Sequence, residues 1–599
     1  MTAYELEAEG TAPHEYGDLL LNYLEQLGVE YVFGIPGGAI EPFYNALARS
    51  ERRGGPRAIT ARHETGAVFM ADGYWRNSGK LGVCCSTTGP GATNMITGVA
   101  SAYENNIPML VITAQTALAT FGTGGLQESS CTGIDTVSIF NQCCRYSTLV
   151  SHQDQLERKL VTAIMTAFTE PMGPVHLSIP IDLMRKTLPN ATPSIDLPSL
   201  MRKPGVFDEE AVGRLYTELK QAKNPLFVIG DDASEAIGLI LSLAVRLNAQ
   251  IVVTPHGKGL ISPYHPLFRG SIGFSGHRSA QELLTSPEID RIFIIGAHFG
   301  EWASQGWEPQ HHTQRIIDIE EGQSNLTKLP MAALHVRGHL ETIFETLLKR
   351  LDKNDHRKPL KAITANDVST DIASESVEKL QQFTLDEEDK YCSDAIPIKP
   401  QRLMRELPNI FPANTHYLAD AGNSFSWATH YLHPHDRRIA GRRDAKGGLF
   451  RASLNFASMG WAIGSAIGTA LARRDKPVVC ITGDGSLLMS GQEITVAIQE
   501  KLPVVFVILN DSAYGMVKHG QQMTGGEAIA AELPKTNFAA FAEAMGVEGH
   551  IIYSADDLLQ LDGHALFKKQ GPTLLDVRID KDEVPPFGVR IKTLKQANE

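Results

Sequence analysis

The chain has 599 residues, of which 43% are hydrophobic and 21% are charged. This length is enough for roughly three to four domains of ordinary globular type. With 55 Lys and Arg against 68 Asp and Glu, the formal net charge is −13, which argues against a protein that binds nucleic acid or coats an anionic membrane.

The cysteines and the N-terminus predict a compartment. Seven cysteines are present, an odd number without any CxxC motif, which fits neither a disulfide framework nor a zinc site. Residues 1–18 are acidic and lack the apolar core of a signal peptide. No stretch approaches the roughly 18 uninterrupted apolar residues of a membrane span. We therefore expect a reduced, cytoplasmic protein.

The N-terminal part alternates short apolar strands with helices. After a loose tail, residues 14–190 form a predicted domain with a helix at 16–27 and strands at 31–33, 81–85, 109–113 and 176–179. Two of these strands run into turns of small residues, at 34–38 and 86–94. A further helix is predicted to open at Arg62-His63-Glu64 and to run to Arg76, and a glycine-rich loop covers 121–127. This alternation predicts a doubly wound parallel sheet.

Two further α/β units follow. A linker rich in Pro and Ser at 190–204 precedes a central domain at 205–350, with strands at 225–229, 251–254, 291–295 and 316–319. Residues 351–397 are polar and weakly periodic, and we interpret them as a linker with one helix at 374–383. For this linker, the sequence leaves both disorder and a surface wrap open. A third domain at 398–580 has predicted strands at 416–418, 477–481, 503–509 and 573–577, and 581–599 form a C-terminal extension. The predicted fold class is α/β, with three doubly wound parallel-sheet domains.

The stretch Gly483-Asp484-Gly485-Ser486 indicates a binding site in the third domain. It follows the apolar run 478–481 and precedes a helix predicted at 488–500, and the next strand ends at Asn510-Asp511. Open α/β sheets bind ligands at the carboxyl ends of neighbouring strands. The two glycines let backbone amides approach an anion, and a carboxylate beside that anion requires a cation such as Mg²⁺ between them. These residues alone predict a metal–diphosphate site.

Several separated motifs resemble those of one enzyme family. The GDGS turn followed by Asn510-Asp511, 26 and 27 residues after Asp484, is similar to the thiamine-diphosphate fingerprint. The segment 62–67 resembles the one that carries the cofactor-activating glutamate of that superfamily. Segments 33–38, 88–94, 122–123 and 127–128 narrow the resemblance to the acetolactate synthase (acetohydroxyacid synthase) large-subunit family. The resemblance covers about residues 15–580 and implies a pyrimidine-binding, a central and a diphosphate-binding domain, in that order.

The resemblance implies a role for individual residues. Glu64 would contact N1′ of the aminopyrimidine and promote formation of the thiazolium carbanion, and Gln127 would lie near the reaction intermediate. Mg²⁺ would be held by Asp484, by Asp511 or Asn510, and by the carbonyl of Ala513. Met459 would bend the cofactor. Further implied contacts of thiamine diphosphate are Pro36, Gly37, Asn94, Asn423, Gly485, Ser486, Tyr514, Gly515 and Met516.

Each assignment has a plainer alternative. Taken alone, Glu64 could belong to a solvated first turn, Asp484 to an Asx-turn and Met459 to a hydrophobic core. Gln127 could be a loop residue turned to solvent. Three histidines have a spacing that could bind a metal or line the rim of a pocket, although no Cys or carboxylate completes the set: His430, His433 and His435. The glycine-rich segment 270–276 is only a weak cue for a nucleotide.

Two segments depart from the family pattern. The central-domain signature Gly-x-Arg-Phe-Asp-Asp-Arg reads here as residues 296–302, with His298 and Trp302 in place of the two arginines. The resemblance implies that the first arginine contacts a flavin and that the last one holds the carboxylate of the acceptor. The loss of both arginines therefore puts FAD binding and a keto-acid acceptor in doubt. The family's Met-Val-x-x-Trp ends here in Gly520, and the missing indole predicts a roomier acceptor pocket with Lys518 and His519 as replacement polar groups.

The sequence thus predicts a thiamine-diphosphate- and Mg²⁺-dependent enzyme resembling acetolactate synthase. It would decarboxylate a 2-keto acid, with pyruvate as first choice, and transfer the acyl carbanion to a carbonyl acceptor that differs from the family's. The alternatives are another thiamine-diphosphate lyase or decarboxylase, a sulfoacetaldehyde acetyltransferase, and an inactive regulatory homologue. Retention of Glu64 together with the metal motif argues against the last. The resemblance also implies a homodimer or homotetramer with small-molecule partners, and neither nucleic acid nor membrane is expected as a partner.

Overall fold

Three parallel β-sheets form the framework of the chain. The computed structural model describes residues 14–202, 205–304, 306, 315–323, 325–354, 381–436 and 448–587. Within these residues each sheet has six strands, and one short antiparallel pair lies outside them. Helices follow most strands, as expected for parallel strands that need crossover connections.

The N-terminal sheet has the order β3-β2-β4-β5-β7-β6, while β1 pairs with β8. The strands are β1 His14–Glu15, β2 Tyr31–Gly34, β3 Arg57–Thr60, β4 Gly82–Ser86, β5 Met109–Gln115, β6 Tyr146–Leu149, β7 Pro174–Pro180 and β8 Thr187–Leu188. The α-helices are Tyr16–Gln26, Glu41–Arg52, Glu64–Ser78, Pro90–Asn94, Ile96–Glu104, Thr136–Asn141, Leu156–Ala167, Ile181–Met184 and Leu197–Leu200. Single 3-10 turns occur at Gly38–Ile40, Leu118–Thr120 and Gln153–Gln155.

The central sheet has the order β11-β10-β9-β12-β13-β14. Its strands are β9 Pro225–Ile229, β10 Gln250–Val253, β11 Phe268–Ser271, β12 Arg291–Ile295, β13 Ile316–Glu320 and β14 Leu334–Arg337. The α-helices are Glu209–Gln221, Ile237–Leu247, Arg278–Thr285, Glu301–Ser304 and Leu340–Asn354, with a 3-10 turn at Asp231–Ser234. Strand order reverses between β9 and β12, the pattern of a doubly wound sheet.

The C-terminal sheet has the order β16-β15-β17-β18-β20-β19. Its strands are β15 His416–Ala419, β16 Phe450–Ala452, β17 Val478–Gly483, β18 Val504–Asn510, β19 Glu548–Ile552 and β20 Thr573–Arg578. The α-helices are Glu388–Tyr391, Pro400–Ile410, Asn423–Tyr431, Trp461–Ala472, Asp484–Ser490, Ile494–Gln499, Gly515–Met523, Phe538–Ala544, Ala555–Leu559 and Gly563–Leu566, with a 3-10 turn at Gly491–Glu493. Strands β17 and β18 are buried almost throughout, which their continuous apolar runs require.

The predicted α/β class with three doubly wound sheets is confirmed, and four strands of each sheet lie where the sequence predicts them. The missed strands are β3 and β6, β11 and β14, and β16 and β19, which are the two edges of each sheet. Edge strands face solvent on one side, so their sequences mix polar and apolar residues and lack the buried runs that reveal central strands. The helix predicted at 488–500 is wrong in its bounds, because helix formation begins at Asp484 and a 3-10 turn at Gly491–Glu493 interrupts it.

The chain divides into two compact units. One comprises residues 1–75 and 80–202, with the N-terminal sheet, and the other comprises 76–79 and 203–599, with both remaining sheets. The described part of the predicted linker belongs to the second unit and contains Phe383, buried in the central core, and Tyr391, buried in the C-terminal core. The tail at 1–13 and nearly all of the helix predicted at 374–383 lie outside the described residues. Phe383 itself is not helical.

A buried histidine group connects the central and C-terminal segments of the second unit. His430 Nε2 accepts a hydrogen bond from the Asp386 amide at 2.9 Å, and its Nδ1 lies 3.3 Å from the Ser275 carbonyl oxygen. His277 Nδ1 accepts from the Ser271 amide at 2.9 Å. Since a backbone amide can only donate, the accepting nitrogens are unprotonated and both rings are held neutral.

Candidate active site

The two predicted metal ligands lie at the ends of neighbouring strands β17 and β18. Asp484 directly follows β17 and is buried, while Asp511 directly follows β18. Asp484 Oδ1 accepts a hydrogen bond from the Gly485 amide at 2.7 Å, and Asp511 Oδ1 accepts from the Ala513 amide at 3.1 Å. Backbone amides of Ser512 and Ala513 also contact the Asp484 carboxylate, so amides of the loop after β18 hold both carboxylates.

The loop that carries Asp511 is held in an unusual conformation. Ser512 has φ of +56°, a left-handed backbone that costs energy for a residue other than glycine. The Leu533 amide donates to the Ser512 carbonyl at 2.7 Å, and the Tyr514 amide donates to the Ala531 carbonyl at 2.7 Å. The segment around 531–533 therefore fixes the loop from outside.

The charges of the pair fit a divalent cation. Burial and the neighbouring Asp511 charge raise the pKa of Asp484 to about 7, and burial raises the pKa of Asp511 to about 6. A buried and a half-buried carboxylate that repel each other are stabilised by a cation, and oxygen ligands suit Mg²⁺. No group of three or more His, Cys, Asp or Glu suited to a metal occurs among the described residues, so backbone or cofactor oxygens would have to complete the coordination.

Asn510, the alternative ligand, has a different environment. Its Nδ2 donates to Asp576 Oδ1 at 2.8 Å and to the Thr536 carbonyl at 3.2 Å. These bonds engage the amide in the core of the sheet. The contacts thus favour Asp511 over Asn510 as the second metal ligand, while the implied role of the Ala513 carbonyl stays a prediction.

The turn after β17 is lined by residues predicted to contact the cofactor. A Cβ placed on Gly485 would lie 2.6 Å from Tyr514 Cε1 and 3.4 Å from Met459 Cε, so only glycine fits there. Met459 is 36% exposed, which disagrees with a core methionine and agrees with an apolar surface available to a ligand. Ser486 is buried in the first turn of the helix Asp484–Ser490, and Met516 packs against the C-terminal core.

Asp420 positions this turn, a role that the sequence did not reveal. Its fully buried carboxylate accepts hydrogen bonds from the Gly460 amide at 2.9 Å and from Thr482 Oγ1 at 2.8 Å. It thereby ties the Met459-Gly460 turn to strand β17. The only sequence signal is its place directly after β15, where such sheets gather functional groups.

Asn423 provides an orphaned polar atom beside the metal pair. A Cβ placed on Gly515 would lie 2.5 Å from both Asn423 Nδ2 and Asp511 Oδ2. Asn423 Nδ2 also lies 3.5 Å from His519 Nδ1. Its Oδ1 is buried and has no hydrogen-bond partner within the described part of the chain. Buried acceptors are almost always paired, so this atom fits a ligand that donates a hydrogen bond.

Glu64 lies in the N-terminal unit, at the start of the helix Glu64–Ser78. It is only 8% exposed, which excludes the alternative of a solvated first-turn residue. Asn94 Nδ2 donates to Glu64 Oε2 at 3.0 Å, and a Cβ placed on Gly91 would lie 3.2 Å from Glu64 Oε1. The side-chain amide of Asn94 therefore orients the Glu64 carboxylate, and the backbone of Gly91 lies close to it. Gly37 packs against Thr87, beside the exposed Pro36.

Gln127 is exposed at the tip of a loop built around Glu128. Gln127 has φ of +59°, and its carbonyl accepts a hydrogen bond from Thr88 Oγ1 at 3.0 Å. Glu128 Oε1 accepts from the Gly122 amide at 2.8 Å and from Thr132 Oγ1 at 2.7 Å. Hydrogen bonds from Ser130, Gly122 and Thr132 lower the pKa of Glu128 to about 2. Glu128 thus holds the loop that carries Gln127. The motif at 127–128 includes Glu128, but the sequence did not indicate this role.

Comparison with known proteins agrees with this geometry. Three models of the thiamine pyrophosphate enzyme family match the chain: the N-terminal TPP binding domain at 14–138, the central domain at 212–347 and the C-terminal TPP binding domain at 420–577. The probable acetolactate synthase large subunit of Methanococcus aeolicus is 30% identical over 591 residues, covering 95% of this chain and 93% of that protein. The chain belongs to the acetolactate synthase family.

Further family members are similarly close. The acetolactate synthase isozyme 1 large subunit of Escherichia coli K12 is 29% identical over 578 residues, with 95% of each chain covered. The isozyme 2 large subunit of the same organism is 28% identical over 580 residues, covering 95% of this chain and 97% of that protein. Membership confirms the predicted resemblance and makes the protein a thiamine-diphosphate-dependent enzyme of the carbon–carbon bond-forming type. No helix in the described residues is long and apolar enough to span a membrane.

The first departure from the acetolactate synthase family, at 296–302, does not fit the family's flavin contact. His298, in place of the first arginine, lies with Nε2 2.7 Å from Lys328 Nζ, and burial lowers the pKa of His298 to about 4. A neutral imidazole beside a lysine does not replace a fixed guanidinium. Trp302, in place of the last arginine, contacts Phe274 with ring centroids 4.8 Å apart.

The second departure, at 516–520, lies beside Asn423. Lys518 Nζ is 2.9 Å from Glu532 Oε1, so its charge is paired, and burial lowers the pKa of His519. A Cβ placed on Gly520 would meet no atom within 4 Å. The open space agrees with the predicted loss of a large side chain at this position.

Proposed function

We propose that this acetolactate synthase relative decarboxylates a 2-keto acid, with pyruvate as the first candidate, and transfers the resulting acyl group to a carbonyl acceptor that differs from a 2-keto acid. The observation that carries the proposal is the buried Glu64 carboxylate, held by Asn94 at 3.0 Å. A carboxylate withdrawn from water and oriented by an amide is suited to proton transfer with a bound base. His298, Trp302 and Gly520 replace residues of the family pattern, which supports an acceptor other than a 2-keto acid.

Each half of the proposed site has its own task. When bound, thiamine diphosphate supplies an electron sink for carbanion chemistry. Glu64 would hold and release the proton at the aminopyrimidine nitrogen N1′. Asp484 and Asp511 would hold Mg²⁺ against the diphosphate, and Met459 would provide the apolar surface on which the cofactor bends. Gln127 would approach the reacting atoms from its loop.

The family likeness also leads us to propose that the enzyme is at least a homodimer, with Glu64 of one subunit serving the diphosphate domain of another. Phe456, Leu488 and Met489 are, like Met459, large apolar side chains with exposed surface. Such exposure favours a covered surface in the assembly. The seven cysteines are all free thiols, and we therefore propose a cytoplasmic location, where thiols stay reduced.

The proposal is tested by incubating the protein with thiamine diphosphate, Mg²⁺ and pyruvate together with a panel of carbonyl acceptors, and identifying products by mass spectrometry. We expect CO₂ release and a hydroxy ketone, and Glu64→Gln is expected to lower turnover by at least about 100-fold, the usual contribution of a proton-transferring group. Unchanged turnover in Glu64→Gln contradicts the assigned mechanism. Acetolactate formation from pyruvate alone at the rate of a dedicated synthase contradicts the altered acceptor. Decarboxylation without ligation, or acetyl phosphate formed from sulfoacetaldehyde and phosphate, identifies the alternative activities.

A further inference from the structure

Four aromatic side chains of the second unit, which we call the aromatic wall, meet near Asn423: Phe274, Trp302, Phe425 and Phe587. The Trp302 ring lies edge-on to Phe274, with centroids 4.8 Å apart, and edge-on to Phe425 at 5.8 Å. Phe274 stacks on Phe425 at 6.2 Å and on Phe587 at 6.1 Å. Phe274, Phe425 and Phe587 are buried, whereas Trp302 keeps partial exposure. The wall is therefore a packed apolar surface whose outermost ring is Trp302.

The aromatic wall is continuous with the site described above. Phe425 follows Asn423 by two positions on the helix Asn423–Tyr431, and Phe587 lies 6.3 Å from the His519 ring. Asn423 Nδ2 in turn is 3.5 Å from His519 Nδ1 and borders Gly515, whose other neighbour is Asp511 Oδ2. Two polar side chains, Asn423 and His519, thus stand between the wall and the metal pair.

This side of the site offers little positive charge to an anion. Trp302 stands where the family carries an arginine. Lys518 is paired with Glu532 at 2.9 Å. His519 is buried, and desolvation, the largest effect, lowers its pKa, so burial disfavours the charged form of the ring. A carboxylate that entered here would lose its hydration without gaining a cation, which is strongly unfavourable.

We propose that the acceptor is an uncharged aldehyde with a flat, apolar body, and that Trp302 determines this specificity. Aromatic rings favour a second ring by edge-on or offset contact, and the open space at Gly520 leaves room for it. Asn423 Nδ2 carries the N–H groups that would donate to the acceptor oxygen. The inference rests on the proposed function, because it names the acceptor of that reaction.

The reaction is balanced for pyruvate and an aldehyde. The bond between the carboxylate and carbonyl carbons of pyruvate breaks and releases CO₂, and its electron pair forms the new bond to the aldehyde carbon. The aldehyde oxygen takes up one proton. The product is a 2-hydroxy ketone, and no external oxidant or reductant is needed.

A competition experiment tests the acceptor class. The holoenzyme is given pyruvate with equal concentrations of benzaldehyde and 2-oxobutanoate, while CO₂ release and both ligation products are measured. We expect the hydroxy ketone from benzaldehyde to exceed the acetohydroxy acid by at least ~10-fold. Trp302→Arg, which restores a guanidinium, is expected to lower this product ratio by at least ~10-fold. The control Tyr553→Arg places the same charge on an exposed site of the C-terminal domain and is expected to keep the parent ratio.

A second variant covers the case in which Trp302→Arg does not fold, as judged by thermal unfolding. Trp302→Ala removes the ring without adding charge, and we expect it to lower the product ratio of benzaldehyde to propanal, because only benzaldehyde loses a ring contact. A parent enzyme that prefers 2-oxobutanoate, or a ratio that neither Trp302 variant moves, overturns the inference while CO₂ release leaves the proposed function intact. Absence of CO₂ release from every 2-keto acid tested overturns both.

Discussion

Asn510 and Asp511 are adjacent in the sequence, yet their side chains have opposite surroundings. Asn510 bonds to Asp576 and to the Thr536 carbonyl, whereas Asp511 lies in the loop whose backbone amides also contact the Asp484 carboxylate. The choice between them decides whether the metal site carries one or two carboxylates. Two carboxylates bind a cation more tightly than one, because each adds a full negative charge.

Alanine substitution of each residue separates the two roles. We expect Asp511→Ala to raise the Mg²⁺ concentration for half-maximal activity by at least ~10-fold, because a ligand is lost. Asn510→Ala should instead destabilise the fold by about 1–3 kcal/mol, because it leaves buried partners unpaired. Mg²⁺ titration of activity and thermal unfolding of both variants measure these effects. The reverse assignment of effects would show that Asn510 is the ligand.

Single residues were predictable where a short motif carries the chemistry. Glu64 and Asp484 were identified because their neighbours in the sequence form recognisable segments. Glu128 was not assigned a role, although its partners Gly122 and Thr132 lie only six and four positions away. Asp420 was missed because it acts through a hydrogen bond to backbone that only the fold brings close, at Gly460, 40 positions away. No local pattern encodes such a partner.

At the scale of elements, predictability followed burial. Strand β17 is apolar and buried along its length up to its last residue, so the sequence alone located it. Strand β6 is only half-buried at every position, and β19 has a single buried residue, Ile552, so neither has a distinctive run. The interrupted helix after Asp484 was missed for a different reason, since no proline marks the break at Gly491–Glu493.

The buried histidine group makes the junction of the central and C-terminal segments sensitive to acid. Desolvation lowers the pKa of His430 to about 4 and that of His277 well below its usual value. The neighbouring charges act on His430 in opposite directions, since Asp386 raises its pKa while Lys258 lowers it. His433, also buried, adds a third neutral ring. Protonation of His430 would cost it the hydrogen bond from the Asp386 amide.

We expect the second unit to lose stability as the pH falls below about 6.5, the usual histidine pKa. The folded pKa is lower than the unfolded one, so the stabilisation is complete above the unfolded value and declines toward the folded value of about 4. His430 alone should account for a loss on the order of 1–3 kcal/mol. Melting temperatures at about pH 7.5 and about pH 5 measure the loss.

Two variants identify the group responsible. His430→Gln, which cannot gain a proton, should show a smaller fall in melting temperature between the two pH values, although its stability at neutral pH is lower. His152→Gln, at an exposed position in the N-terminal unit, is the control and should fall as the parent does. An equal fall in all three proteins would exclude His430 as the acid-sensitive group.

At the scale of the whole molecule, the two groups of site residues belong to different units. Glu64 and Gln127 lie in the first unit, and Asp484, Asp511 and Met459 lie in the second. The proposed homodimer joins these halves across subunits, which gives two equivalent sites per dimer. The sequence motifs locate both halves, whereas their pairing across subunits is implied by the family resemblance alone, because surface complementarity leaves no periodic signal.

Mixed dimers test the shared site. Glu64→Gln and Asp484→Ala are each expected to be inactive alone, but a dimer with one chain of each has one site with both residues intact. Random assembly makes half of the dimers mixed, so co-expression should restore roughly a quarter of parental turnover. Activity of the co-expressed, co-purified chains measures this. Failure to restore turnover, with dimers confirmed by sedimentation, would indicate sites built within one chain.

Gly520 has a consequence for how such an enzyme can diversify. Its neighbours leave the space around a Cβ empty, and its place in the helix Gly515–Met523 demands no glycine conformation. Side chains of graded size can therefore be exchanged there with little effect on the packing that holds the sheet together. The width of the proposed acceptor pocket would then be an adjustable parameter, separate from the stability of the fold and from the anchoring of the cofactor. Under this proposal, a lineage or an engineer would change the partner molecule at one helical position without rebuilding the catalytic apparatus.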